Sequence, residues 1–473
     1  MNKSKLAIAI ALTGMVSTSA FATNGYFSHG YGAKEKGMAG AGVAKGGNAI
    51  STANNPASLL QVGERMDFGV SFFNPNRSMT VTGDPALPSN FSPVLGYPGC
   101  PQPGVQVCQI PFSHNTGTVN SERNWFIIPS FGFSAKINDQ MMWGLSLYGN
   151  GGMNTTYESG SARVLDPTTL PTGGTIVDAP GVFGAGNAGV DLSQLFINTT
   201  IAYQASEMLD LGASLIAAVQ SFEATGLAPF ANNTLNPSKL TNNGHDTVTG
   251  FGFKLGANFN VTKDFTIGVS YQTKIDMAEF DDYAGLFAEN GDFDIPSTYT
   301  VGIAWNTSDT STLLIDYQAI NYTDVAAISN SITPLLTSCF DSLNNTFFSG
   351  GQTQQLASGP GCLGGSDGAG FGWNDMKVIK IGYEWEMGGD TYRVGYSTTD
   401  QPIDSSINLN ILAPGVVEDH FTAGYTTKIN DKEWTFFLMY APEVEISGIS
   451  AFDPGQTIST KMNQLEIGVD IQL

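Results

Sequence analysis

The chain has 473 residues, 41% of them hydrophobic and only 13% charged, with 56 glycines and a formal net charge of −22. Average usage puts charged residues near ~25%, so this surface carries too little charge for water to cover all of it. The acidic excess argues against nucleic acid as a partner, the apolar content against a disordered chain, and the lack of a later apolar run of about 18 residues against a helical membrane span.

At the N-terminus, Lys3 and Lys5 precede an apolar stretch from Leu6 to Val16, and Ala20-Phe21-Ala22 forms an A-x-A cleavage pattern. Residues 1–22 read as a cleaved signal peptide, because the apolar core is short for a membrane anchor. The mature protein is then exported.

Residues 23–63 do not alternate. Glycines at 25, 30, 32, 37, 40, 42, 46 and 47 stand among small and polar residues, ahead of Asn55-Pro56-Ala57. So compact a segment before the first strand suits a plug, or hatch, better than a disordered tail. Gly40-Ala41-Gly42 follows no strand and precedes no Gly-Lys-Ser/Thr, so it is not a nucleotide loop.

From residue 64 to 473 the dominant signal is period-two alternation broken by turn clusters. In the last segment Leu465, Ile467, Val469, Ile471 and Leu473 share one face, while Gln464, Glu466, Gly468, Asp470 and Gln472 share the other. Fourteen strands are expected, near 64–82, 124–137, 141–157, 189–206, 209–226, 245–262, 265–281, 292–306, 311–325, 374–387, 390–404, 417–429, 433–448 and 459–473. Short turns and long loops alternate between them. Many strands run past ten residues, longer than β-sandwich strands. Trp125, Trp143, Trp305, Trp373, Trp385 and Trp434 share parity with the aliphatic faces near strand ends, as interfacial aromatic girdles do. The expected fold is all-β: a 14-stranded antiparallel transmembrane β-barrel in the outer membrane of a Gram-negative cell, with its outward face on lipid.

The four cysteines fall in loops. Their spacing does not resemble a zinc site, and an oxidising compartment favours disulfides. Local pairing, Cys100 with Cys108 and Cys339 with Cys362, is the expectation, although sequence alone does not fix connectivity.

Several segments together bring one family to mind. Asn24-Gly25-Tyr26-Phe27, Lys36-Gly37-Met38-Ala39-Gly40-Ala41-Gly42, Asn55-Pro56-Ala57 and Tyr148-Gly149-Asn150-Gly151-Gly152-Met153-Asn154-Thr155 resemble the FadL/TodX outer-membrane transporters of long-chain fatty acids and other hydrophobic compounds. The resemblance implies a barrel closed by an N-terminal hatch and working without an energy source. It also implies loop capture of a hydrophobic ligand, an interior site touched by the hatch, and sideways exit through the wall.

The residues that could carry such a mechanism follow from chemistry. Asn150-Gly151-Gly152 puts two adjacent glycines inside a strand, which marks a bulge or kink able to open the wall; a tight seat for the hatch would select the same glycines. A fatty-acid carboxylate needs a cation in a low-dielectric site. Among lumen-parity bases, Lys254, Lys274, Lys380 and Arg393 are the candidates, though acids on the same face could pair with them. Phe27, near the mature N-terminus, can reach the site, and Met142 and Tyr148 can line an apolar path. No catalytic nucleophile with a base, no G-x-S-x-G elbow, no metal site and no cofactor loop is expected, so the chain does not read as an enzyme. The expectation is a monomeric passive transporter of a hydrophobic small molecule, long-chain fatty acids first. Hydrocarbons or aromatics through the same barrel are the alternative, and a surface receptor or adhesin acting through the loops is a second.

Overall fold

The computed structural model describes residues 24–85, 112–166, 175–339, 357, 359–404, 406–408 and 410–473. Fourteen long strands build the wall: β1 Arg65–Thr82, β2 Phe126–Asn138, β3 Met141–Tyr157, β4 Ala188–Ser206, β5 Leu209–Thr225, β6 Asp246–Thr262 and β7 Phe265–Gln272, then β8 Thr298–Ser308, β9 Ser311–Ile320, β10 Met376–Met387, β11 Asp390–Thr399, β12 Asp419–Ile429, β13 Lys432–Ser450 and β14 Thr457–Gln472. Each pairs antiparallel with its neighbours in the chain, and β14 returns to β1 from Asp67↔Gln472 to Thr82↔Thr457. Closure gives every strand a neighbour on both sides, the condition for a β-structure to stand in lipid, and pairing lapses where the β2–β3 ladder stops at Phe131↔Leu147.

The faces are inside-out relative to a soluble protein. On β6, Phe251, Phe253 and Leu255 point outward at 63%, 58% and 56% exposure, while Lys254 between them and Asn258 further along are buried inward. The low charge of the chain belongs to this outward band. Trp125 and Trp305 are exposed on it, and near the short-turn ends Trp385 sits opposite Tyr392, which sits opposite Tyr425. The Trp385 and Tyr392 rings stack at 5.7 Å, giving one arc of the expected girdle.

Trp373 corrects that expectation. It is 1% exposed, its indole N–H donates to Asn410 at 2.8 Å, and its ring packs edge-on against Tyr322. It precedes β10, so ladder parity does not govern it, and it serves the apolar core beneath the long loops. The same core shortens four expected strands. The ladders of β7, β8, β9 and β11 end at Gln272, begin at Thr298, and end at Ile320 and Thr399 respectively. Beyond them Phe280, Tyr283, Phe287, Phe293 and Tyr322 fold inward and bury completely or nearly so. A separate small sheet of Ser113–His114, Ser161–Asp166 and Thr175–Pro180 stands among the loops. Cys339 and Cys362 form a disulfide; Cys100 and Cys108 lie outside the described residues.

Residues 24–62 occupy the lumen as a chain of short helical turns, Ala33–Lys36, Ala49–Ala53, Pro56–Ser58 and Leu59–Val62. Lumen side chains from many strands bind its backbone. Ala33 N donates to Asp470 on β14 (2.6 Å), Ala39 N to Thr422 on β12 (2.8 Å), Gly42 N and Val43 N to Asp316 on β9 (2.8 and 2.9 Å), and Ala49 N to Asp67 on β1 (2.8 Å). Short helical turns leave most of their N–H groups without an internal partner, and wall carboxylates satisfy them here.

The glycine excess has a geometric cause in this contact. Directly paired lumen glycines form bare seats for the hatch. Gly256 faces Gly212, and a Cβ on either would strike Asn55 Oδ1 at 1.9 Å or Ala57 N at 2.3 Å. Gly268 faces Gly302 beneath Val43, with a Cβ 2.4 Å from Val43 O or 2.7 Å from its side chain. Gly382 faces Gly395 beneath Met38, with corresponding distances of 2.7 and 2.3 Å.

Candidate functional site

Asn55-Pro56-Ala57 locks the hatch onto the first of these seats. Asn55 Oδ1 caps the turn by accepting from Ala57 N at 3.0 Å, and its amide donates to Val43 O at 2.7 Å and to Ala257 O on β6 at 3.2 Å. Pro56 takes the first helical position, where its missing N–H is not needed. The triplet holds the hatch in place and does not face a cavity.

Two cavities flank the hatch. The first, about 390 Å³ of empty space counting its mouth, lies against β6 to β10. The wall contributes Lys254, Gln272, Thr298, Asp316 and Lys380, and the hatch contributes Phe27, Tyr31 and Asn54. Lys254 stands opposite Gln272, and Asp316 opposite Lys380, so the polar set is made by cross-strand neighbours. Lys254 Nζ donates to Ala53 O, and Lys380 Nζ to His29 O at 3.0 Å. Among the described residues neither lysine has a carboxylate within 4.0 Å of its nitrogen. Asp316 spends one oxygen on the hatch amides. Its other oxygen, the Gln272 amide nitrogen and the Asn54 amide nitrogen are buried without a partner. Two lysines stand against one carboxylate in this lining, with unused amide donors beside them.

The second cavity, about 320 Å³ on the same measure, lies on the opposite side of the hatch. Val70, Ile128, Ser130, Tyr148 and Phe437 line it from β1, β2, β3 and β13, together with Tyr31 and Lys36 of the hatch. Lys36 is ion-paired with Glu466 and lies 5.4 Å above the Phe437 ring.

Beside this cavity the wall is incomplete. The β2–β3 ladder runs from Asn138↔Met141 to Phe131↔Leu147 and stops, although β2 stays paired with β1 as far as Phe126↔Phe73. Contact with β3 resumes only at Thr156, whose carbonyl accepts from Glu122 N at 2.9 Å. On its other edge β3 stays joined to β4 but carries a bulge between Gly149 and Gly151. Asn150-Gly151-Gly152 therefore stands at a break in the wall, as a glycine pair within a strand implies. The hatch uses the released backbone: Gly152 N donates to Tyr26 O at 3.0 Å, Ser28 N to Asn150 O at 2.8 Å, and a Cβ on Gly151 would stand 2.0 Å from Tyr26 O. The motif thus sits where the β2–β3 ladder has stopped and where the hatch meets bare backbone.

The other site expectations divide. Phe27 faces the first cavity, and its ring lies 5.9 Å from Tyr322. Tyr148 lines the second, its hydroxyl accepting from the Asn198 amide at 2.9 Å. Lys274 lies beyond the end of β7, tied to Asp294 at 2.5 Å and Asp276 at 3.4 Å. Arg393 spends its guanidinium on Glu384 at 2.9 Å and Thr426 at 2.6 Å. Met142 packs with Leu59 and Ala202 under the hatch and lines neither cavity. Tyr31, Asn54, Gln272 and Asp316 were not expected from sequence. The available signals were an aromatic held between Gly30 and Gly32, and an Asp on the lumen parity opposite Lys380.

Over the first cavity, Phe293 of the 273–297 loop packs 6.2 Å from the Tyr26 ring. In that loop burial pushes the Asp292 carboxyl up to about 7, and neighbouring Asp294 adds to the rise.

The family model described as outer membrane protein transport protein (OMPP1/FadL/TodX) matches residues 9–165 and 181–346, more than half of the chain. The chain belongs to the FadL/TodX family. Solved structures agree on the fold. The Pseudomonas putida toluene transporter TodX is 15% identical over 94% of this chain and 98% of its own, with TM-score 0.58. A Pseudomonas aeruginosa FadL homologue is 15% identical over 95% and 99%, at 0.59, and the Ralstonia pickettii toluene transporter TbuX 17% over 93% and 98%, at 0.53. No curated protein sequence matches the chain. Members of the FadL/TodX family are outer-membrane transporters of hydrophobic compounds, which accounts for an apolar outward band around a plugged lumen.

Proposed function

We propose that this FadL/TodX barrel carries long-chain fatty acids passively across the outer membrane. The cargo enters beneath the long loops, rests its carboxylate in the first cavity, and leaves sideways through the break between β2 and β3. The observation that carries this reading is the pair Lys254 and Lys380. Both are buried on a lumen wall, neither has an acid within ion-pair distance, and both face unused amide donors. Buried ammoniums without counter-ions are costly, and an incoming carboxylate relieves that cost where a neutral hydrocarbon does not. Phe27 supplies apolar contact beside the charge. The second cavity sets Ile128, Tyr148 and Phe437 beside Lys36 and Asp470, and its apolar side, suited to an alkyl chain on its way to lipid, favours hydrocarbons or aromatics as the second reading.

Uptake of labelled oleate against hexadecane, in cells lacking their own transporter, tests the substrate. Lys254→Gln with Lys380→Gln removes both charges and leaves a shorter side chain with N–H donors at each position. The expected result is a loss of about tenfold or more in oleate uptake with hexadecane unchanged. Equal loss of both cargoes, or of neither, would overturn the carboxylate reading.

A further inference from the structure

Tyr31 is the residue that faces both cavities. Its ring lies 4.5 Å from that of Tyr148, and its hydroxyl donates to Asn150 Oδ1 at 2.8 Å, on the kink itself. It is mounted between Gly30 and Gly32, and Gly32 holds φ +78°, ψ 150°, a conformation open to glycine alone. Neither neighbour carries a side chain, and a Cβ at residue 30 or 32 would lie 2.7 Å from Gly40 Cα or 2.8 Å from the Asn48 amide. The ring therefore projects from a closely seated backbone with no flanking side chain to block it. Asn150 is in turn fixed. Its amide donates to Gln194 Oε1 at 3.0 Å, Gln194 to Gln220 Oε1 at 2.8 Å, and Gln220 to the carbonyl of Phe293 at 2.9 Å. The row crosses the lumen faces of β3, β4 and β5 and ends in the loop above the first cavity.

We infer that Tyr31 is the gate between the two cavities and sets the cross-section of cargo that reaches the break in the wall. The inference rests on the transport reading above and adds a specificity-determining residue to it. In the closed position the tethered ring separates the first cavity from the second. Cargo passes when the ring turns away, which breaks one hydrogen bond and the contact with Tyr148. The amides of Gln194 and Gln220 act as positioning groups, because they hold the Asn150 oxygen where the hydroxyl meets it.

The test uses full-length protein at matched outer-membrane levels in transporter-deficient cells, with folding checked by heat-modifiable migration. Cargo is offered in slim and bulky pairs: oleate with 12-(1-pyrenyl)dodecanoate, and hexadecane with pyrene. Tyr31→Ala is expected to raise the bulky-to-slim uptake ratio about fivefold or more. Tyr31→Phe keeps the ring and loses the tether, so it raises slim uptake about two- to tenfold with the ratio unchanged. Gln194→Leu moves slim uptake in the same direction, and adding it to Tyr31→Phe gives no further change. A folded Tyr31→Ala protein with wild-type rates and ratio overturns the gate. Independent effects of Gln194→Leu and Tyr31→Phe overturn the positioning role. Because the ratio is read within whichever cargo class moves, the gate survives an error about carboxylates. Uptake no better than in cells without the protein, for every cargo, refutes transport itself and the gate with it.

Discussion

Gly151→Val sets the seat for the hatch against the opening in the wall, because the two roles predict opposite changes in flux. An added Cβ at residue 151 would lie 2.0 Å from Tyr26 O and 2.9 Å from its carbonyl carbon. Ordinary contact begins near ~3.4 Å, so strand and hatch must part by more than about 1 Å. Such a shift removes the hydrogen bonds from Gly152 N to Tyr26 O and from Ser28 N to Asn150 O. At about 1 to 2 kcal/mol each for groups left partly unpaired, the hatch loses roughly 2–4 kcal/mol of seating. That corresponds to about a 30- to 1000-fold rise in the unseated population. Valine also favours regular pairing on β3 and so works toward closing the break. If the seat dominates, cells take up more of small polar dyes that the intact hatch excludes. If the break dominates, dye entry stays at wild-type level and oleate uptake falls. The displacement is the larger effect, so dye entry is expected to rise at least about tenfold while the barrel stays resistant to detergent at room temperature. Dye entry at wild-type level, with oleate uptake reduced, would show that Gly151 acts on the wall and that the clash argument is wrong.

Other expectations are simpler. Phe253→Arg puts a charge in the middle of the lipid-facing stripe of β6 and should cost about 2–4 kcal/mol in refolding titrations into lipid, whereas Asn258→Ala on the lumen face should cost less than half of that. Gly256→Val drives a side chain into Asn55 and Pro56 and should release the hatch, read as faster proteolysis within residues 24–62 while the barrel stays folded. The loop over the first cavity carries a pH dependence through Asp292. Its carboxyl titrates higher in the folded loop than in an unfolded chain, so the folded loop holds the proton more tightly. The corresponding stability is complete below about 3.8 and is lost as pH rises toward about 7. The protection of the Ile295 amide, bonded to Ile275 O at 3.1 Å, should therefore fall between those values once the intrinsic rise of exchange with pH is divided out, and Asp292→Asn should remove that fall.

The barrel was legible because two solvents write one rule into every strand. Lipid demands apolar side chains on alternate residues, and the lumen accepts glycine, amide and charge on the rest. Strand number and turn positions follow from that rule. Where it lapses, expectation fails for a physical reason. Phe280, Phe287 and Phe293 are as apolar as lipid-facing residues, yet they fold inward under the loops, so the expected strands ran past Gln272 and began before Thr298. Trp373 failed in the same way. The lumen bases show a different limit. Lys254, Lys380 and Arg393 have the same parity, and a cross-strand neighbour decides between them. Arg393 faces Glu384 and pairs with it. Lys380 also faces an acid, Asp316, but Asp316 gives an oxygen to the Gly42 and Val43 amides of the hatch. Lys380 itself donates to His29 O of the hatch, so contacts 273 or more residues away along the chain hold both groups, and no local pattern records them.

The same contacts bear on how cargo passes a plug that fills the lumen. Expulsion of the whole hatch would break the bonds of Ala33, Ala39, Gly42, Val43 and Ala49 to the wall, the bonds of Lys254 and Lys380, and the ion pair of Lys36 with Glu466. Even at about 1 kcal/mol apiece these amount to more than about 6 kcal/mol, an open population below roughly one in ten thousand. Turning Tyr31 breaks one hydrogen bond and one ring contact, about 1–3 kcal/mol, which leaves the open ring populated at between about one part in six and one part in 160. Passive transport, as proposed above, draws only on the cargo gradient, and the second route is the one thermal motion supplies at a useful rate. The amides of Gly42, Val43 and Ala49 should then remain protected from exchange while oleate is being carried, with exchange confined to the segment around Tyr31. Loss of protection at all of them together on addition of cargo would show instead that the hatch moves as a body.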